Sequence, residues 1–271
     1  MSERQVNYMD FGKLLGDSFG YTKDGLLGNP VTWILLIVLS VLPVIPFGLA
    51  LLAMIPLFMT GTVTGIPTVI AAFAVALIVA LLLGTFFMGY MVKIFRGEVP
   101  LPAVSGFGKM FSDGIRYLLI EIIYTIPVII ILAFSIGAVF MAALSTGPDF
   151  EALLPLIGGA ILGILIALIV AIIIGLFAII GVVRFARTGR IGEAFNFSAI
   201  IATIGRIGWG SYILALIIGG AIVLVVQVVL GSIPFIGGIL QLIISPFLTV
   251  FFTRYVTLLY ESGERDVTVQ A

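Results

Sequence analysis

LPLIGGAILGILIALIVAIIIGLFAIIGVV, residues 154–183, contains no charged side chain and is followed at once by Arg184, Arg187 and Arg190. A helix rises about 1.5 Å per residue, so about 20 such residues cross a hydrocarbon core roughly 30 Å thick. Working outward, five further stretches meet the same test: about 31–59, 67–95, 115–143, 209–230 and 239–260. Backbone N–H and C=O groups cannot stay unpaired in lipid, which favours helices. The lack of strict apolar alternation argues against a β-barrel. The expected fold is all-α: one integral membrane domain of six transmembrane helices, with a polar N-terminal segment (1–30) and a polar C-terminal tail (261–271).

Composition agrees. The chain is 62% hydrophobic and 10% charged, with a mean hydropathy of +1.33. Soluble domains carry about 25% charged residues, so this chain cannot coat a water-facing surface. Net charge is zero, which gives no long-range attraction to nucleic acid. There is no cysteine and no histidine, so disulfides, thiolate and imidazole metal sites and the commonest general base are all excluded. The first 30 residues carry seven charges, and the first apolar run starts only at Val31. A cleaved signal peptide is therefore not expected.

The basic residues fall in four groups: Arg4, Lys13 and Lys23; Lys93, Arg96, Lys109 and Arg116; Arg184, Arg187, Arg190 and Arg206; Arg254 and Arg265. None lies near 59–66, 144–154 or 231–238. The positive-inside rule turns this alternation into a threading with both termini in the cytoplasm, in a plasma membrane. The connection at 144–154 holds Asp149 and Glu151 and falls outside. Residues 97–114, 184–208 and 8–27 mix apolar and charged positions, as in amphipathic helices lying in the headgroup layer. FGKLLGDSF (11–19) and FGKMFSDGI (107–115) share Phe-Gly-Lys and an Asp, and EAFNFSAIIATIGRIG (193–208) occupies the same place before the fifth span. The pattern reads either as three parallel units, each an interfacial helix plus two spans, or as unrelated amphipathic segments of similar composition.

GYMVKIFRGEVPLPAVSGFGKMFSDGIRYLLIEIIYTIP, residues 89–127, resembles the multi-pass membrane-protein family catalogued as domain of unknown function 4013, found mostly in archaea. Gly89-Tyr90, Arg96-Gly97-Glu98, Leu101-Pro102, Phe107, Lys109, Asp113-Gly114, Ile123-Tyr124 and Pro127 carry the resemblance, with GEAFNFSAI at 192–200. The resemblance implies a multi-pass architecture and no activity. The motif also has a reading of its own. Arg96-Gly97-Glu98 stops a helix at the interface, where Arg96 can snorkel to phosphates and Gly97 terminates the helix. Leu101-Pro102 restarts the chain in extended form. Lys93, Arg96, Lys109, Arg116, Arg184, Arg187 and Arg190 are candidate contacts to anionic lipid headgroups.

Ionisable groups inside spans are costly and are functional candidates. Glu121 lies about six residues into the third span, roughly 9 Å deep. Tyr117, Glu121 and Tyr124 share one helix face. That face reads as a proton or cation site, or as a carboxyl neutralised by an arginine or bonded to a tyrosine. Arg254, at similar depth in the sixth span, either snorkels or pairs with Glu121. Gln227 is a further buried polar group. Gln241, Ser245, Thr249, Thr253 and Thr257 form a stripe suited to packing or to a solute path. Gly159 and Gly163 form a GxxxG pair that permits close helix contact within the bundle or between copies. Pro43 and Pro46 mark either packing kinks or a helix break beside a cavity.

No catalytic constellation, phosphate-binding Gly-rich loop, metal site or cofactor site is recognisable. The expected role is a non-enzymatic scaffold or accessory in membrane organisation, with membrane lipid as partner. The alternative is a small transporter or channel with Glu121 on its pathway. The two differ in what surrounds Glu121. A transporter needs a cavity reached by Glu121 and polar groups from at least two other spans, whereas a scaffold packs dry.

Overall fold

A computed structural model describes residues 9–52, 54, 55, 59, 66–146 and 150–268. The connections at 60–65 and 147–149, Asp149 with them, and the side chains of Glu151 and Arg265 lie outside the described residues, as does Arg4. Most of the described chain is helical, with no strand among the described residues.

Helix α1 (Phe11–Leu27) starts beneath Asp10, whose carboxylate accepts the Lys13 N–H at 2.9 Å. This is an N-cap, satisfying a donor the helix itself cannot. Asn29 caps α2 (Pro30–Val41) in the same way, with Pro30 at the first position, where its missing N–H costs nothing. Pro43 and Pro46 tighten the chain into a 3-10 turn at Leu42–Val44, and α3 (Ile45–Leu52) carries on from it. Then follow α4 (Ile66–Phe95), α5 (Phe107–Thr146), α6 (Phe150–Thr188), a 3-10 turn at Ile191–Phe195, α7 (Phe197–Ile207), α8 (Trp209–Gly231) and α9 (Gly237–Thr268). Six helical segments are long and apolar enough to span: Pro30–Leu52, Pro67–Phe95, Phe107–Ala142, Leu154–Thr188, Trp209–Gly231 and Gly237–Glu264.

The expected spans are found with two adjustments. The first is a pair of helices about the proline turn. The third begins earlier, because α5 is a single helix of 40 residues that absorbs the polar segment 107–114. Asp113 in it is buried against Arg96, while Lys109 and Ser112 stay exposed. Of the three segments read as interfacial, α1 and α7 are separate short helices, whereas 107–114 is the first two turns of a span.

Helices α4 and α5 run antiparallel through a pair of glycines. A Cβ on Gly89 would strike the Met110 carbonyl, and one on Gly114 would strike the Thr85 carbonyl. Only hydrogen at both positions allows this approach, and close backbone contact is how helices gain packing energy without a hydrophobic drive. Buried ring hydroxyls and one indole then stitch spans through main-chain carbonyls. Tyr212 donates to Leu176 at 2.6 Å, Tyr255 to Ala215 at 2.9 Å, and the Trp33 indole to Ile243 at 3.0 Å.

The buried residues gather at one end, around Tyr90–Phe95, Ile180–Ala186, Ile200, Ile204 and Val250–Tyr260. All the described basic residues belong to this half, called here the basic end. Helix α9 is central and largely buried, whereas the apolar length of α5 is peripheral and mostly exposed. Toward the other end Phe134, Phe140, Met141, Leu162 and Leu224 stand exposed. A contiguous apolar surface of that kind requires a hydrocarbon solvent.

Candidate functional site

The basic end is held by arginines turned inward. Arg96, closing α4, donates from Nε to the Ala186 carbonyl of α6 at 3.3 Å. Arg187, closing α6, donates from Nε to the Phe95 carbonyl of α4 at 3.0 Å. Each arginine thus caps the carbonyl that immediately precedes the other. The last carbonyls of a helix have no intrahelical donor, and a guanidinium supplies one. The free edges then find carboxylates: Arg96 meets Asp113 at 2.6 Å, and Arg187 meets Glu261 on α9. Gly97, at φ +83°, ends α4 as its sequence implies, and the Arg187 guanidinium lies where a Cβ would be. Lys93 donates to the Ser105 carbonyl at 2.7 Å, and the Tyr90 hydroxyl to Pro102 at 2.7 Å, which ties the extended 98–106 segment to α4.

Arg184 pairs with Glu193, which Arg190 approaches at 3.6 Å. The hydrogen bond from Arg184 holds the Glu193 carboxyl below the usual carboxylate range, against the opposing effect of desolvation. Of the seven basic residues named as candidate headgroup contacts, Lys93, Arg96, Arg184 and Arg187 also bind carbonyls or carboxylates of the chain, Arg187 from an exposed position. Lys109, Arg116 and Arg190 stay exposed. Arg116 and Arg190 show 45% and 75% of their side chains, against 17% for Arg184.

Of the two readings of Arg254, the pairing with Glu121 is not formed. The Arg254 guanidinium lies over the Tyr21 ring, 4.7 Å from its centroid, on the α1 side of α9. Its Nε and Nη1 are buried and meet no acceptor among the described residues. Tyr21 in turn donates to the Glu98 carbonyl at 2.9 Å. The reason is rotational. At 100° per residue, Arg254 sits about 150° around α9 from the face formed by Thr249, Phe252, Thr253 and Val256.

That opposite face walls a chamber of about 640 Å³ between α4, α5, α6, α8 and α9. Glu121 and Tyr117 enter from α5, Gln227 from α8, and Thr249 and Thr253 from α9. Phe95, Phe252, Ala178, Val182 and Leu248 supply apolar wall, and Gly175 and Gly220 leave it room. Three of the polar residues singled out in the sequence, Tyr117, Glu121 and Gln227, thus share one space. The two threonines contribute little free hydrogen-bonding capacity: Thr249 donates to the Ser245 carbonyl and Thr253 to the Met91 sulfur. The remaining candidates lie elsewhere. Tyr124 donates to the Ala194 carbonyl, with its ring 5.1 Å from that of Phe195. Gln241 donates to the Gln227 carbonyl at 2.8 Å and ties α9 to α8. Pro43 and Pro46 do not line the chamber. Gly163 receives the Ser135 side chain of α5, while Gly159 has open space beside it.

The chamber itself was missed in the sequence, as were Phe95 and Phe252 in its wall. So was the arginine exchange, although one signal was there: Lys93–Arg96 and Arg184–Arg187 have the same three-residue spacing. Among the described residues no group of three His, Cys, Asp or Glu is placed to hold a metal.

Six apolar helices joined by a polar, internally paired base define a multi-pass membrane protein. The model of the family described as protein of unknown function (DUF4013) matches residues 72–235, more than half of the chain, and the chain belongs to that family. Comparison with curated proteins and with solved structures gave no match.

Proposed function

We propose that this chain is a non-enzymatic carrier of the plasma membrane, with Glu121 on the path of its guest and the basic end and both termini in the cytoplasm. One observation carries the reading: the chamber joins Glu121 to polar side chains from two other spans, Gln227 on α8 and Thr249 and Thr253 on α9. A dry-packed scaffold would have closed this space with side chains, since protein interiors leave few voids larger than a water molecule. The volume falls in the range of roughly 300–1,000 Å³ typical of small-molecule sites. The absence of histidine and cysteine supports a role without bond chemistry. At the cytoplasmic surface, Lys109, Arg116 and Arg190 are exposed enough to meet anionic headgroups.

A second reading, the scaffold, draws on the basic end, where arginine struts fix α4, α6 and α9 against one another. Flux separates the two. Purified protein in proteoliposomes should move at least one member of a solute panel under a pH gradient, and Glu121→Gln should abolish that movement. Absence of protein-dependent flux across the panel favours the scaffold.

A further inference from the structure

The walls of the chamber specify a guest. Glu121 is its only carboxylate, and no lysine or arginine lies among the described residues that line it. Arg254, the one basic residue deep in a neighbouring span, is turned to the Tyr21 ring instead. The Glu121 carboxyl is hydrogen-bonded to the Tyr117 side chain but has no cation beside it among those residues, so a counter-charge brought in by a ligand would favour its ionised form. Three aromatic rings, Phe95, Tyr117 and Phe252, line the same space, and Phe95 meets Tyr117 edge-on with centroids 6.2 Å apart. Aromatic faces attract cations, most strongly cations that are weakly hydrated. The remaining wall is largely aliphatic, which suits an apolar body. Leu224 on the chamber wall is 63% exposed, on the apolar side of α8 away from the basic end. An exposed wall residue on a lipid-facing helix is where a guest arriving from the bilayer would meet the chamber.

We infer that the chamber receives a lipophilic organic cation, such as a quaternary ammonium, phosphonium or protonated amine with an apolar body, which enters from the membrane. Glu121 neutralises its charge, the aromatic rings face its positive end, and Gln227 offers an amide to any polar substituent. The inference rests on the chamber being a guest site, as proposed above, and adds the class of guest.

The test uses the full-length protein in lipid nanodiscs and two probes of matched shape and opposite charge, tetraphenylphosphonium and tetraphenylborate. Binding is read by equilibrium dialysis as the saturable fraction above empty nanodiscs. Tetraphenylphosphonium should bind saturably, and tetraphenylborate should not displace it. Glu121→Gln should weaken the binding at least tenfold, Glu121→Asp should restore part of it, and Leu224→Trp, which fills the rim, should weaken it with Glu121 intact. Variants are compared at matched melting temperature; if Glu121→Gln does not fold, competition between the two probes on the unaltered protein decides. Equal competition by the anion, undiminished binding in Glu121→Gln, or no saturable binding of the cation would overturn the inference. Glu121-dependent flux of some other solute without cation binding would sink the guest class and leave the carrier standing. Cation binding without flux would keep the guest class and sink the carrier.

Discussion

Arg96 and Arg187 show how a membrane protein uses charge where lipid meets water. Both bind groups of the chain itself. Each supplies the donor that the other's helix lacks, and then finds a carboxylate. Arg184 and Glu193 extend the same logic to the 3-10 turn after α6. The folded-state pKa of Glu193 lies below its unfolded value because Arg184 bonds its charged form. Unfolding therefore favours proton uptake, so the stability this pair confers is fully present above the ordinary carboxylate range. It is lost as pH falls through the depressed value. Detergent-solubilised protein should show a melting temperature that declines on acidification below that range, and Glu193→Gln should remove part of the decline. An identical pH profile in the variant would show that the pair contributes nothing measurable.

At the scale of elements, the crossing of α4 on α5 depends on two glycines, and its test is a contrast among glycines. Gly89→Ala and Gly114→Ala each place a methyl against a main-chain carbonyl, and should cost about 1–3 kcal/mol, the usual range for overpacking. Gly137 and Gly159 have open space beside them, so alanine there should be neutral or slightly stabilising through helix propensity. Midpoints of unfolding in SDS, measured across the four variants, check the order, and equal midpoints would deny the close crossing. The spans were legible from residue type alone, because hydropathy along the chain is a one-dimensional signal. The long α5 was not, because Lys109, Ser112 and Asp113 read as a polar break, and only the structure shows the helix running through them with Asp113 buried against Arg96. Nor was the separation of Glu121 from Arg254. Depth can be counted along a helix, but the direction each side chain faces depends on which neighbours the helix finds. The chamber needs the rotation of five helices at once, which no pair spacing encodes.

For the whole molecule, tightness and charge coincide. The basic end is paired, capped and buried, while toward the other end α5, α6 and α8 expose large aliphatic faces. Lipid tails are as apolar as leucine, so helices gain little there from apolar burial, and specific polar contacts must fix the arrangement. The chamber lies where the packed base gives way to the looser half. In the threading proposed above, six spans put both ends of the chain on one side, and the positive-inside rule is the reason for proposing that this side is the cytoplasm. The lack of native cysteine makes this directly measurable, since any introduced thiol is the only one. In intact cells a membrane-impermeant maleimide should label Asp149→Cys, between the third and fourth spans. Lys109→Cys and Glu264→Cys, at exposed positions of the basic end, should react only after permeabilisation. The reverse pattern would invert the orientation and place the arginine struts outside the cell. Labelling of Lys109→Cys and Glu264→Cys from opposite sides would break the six-span threading. The chamber could then no longer be formed by α4, α5, α6, α8 and α9 within one bilayer.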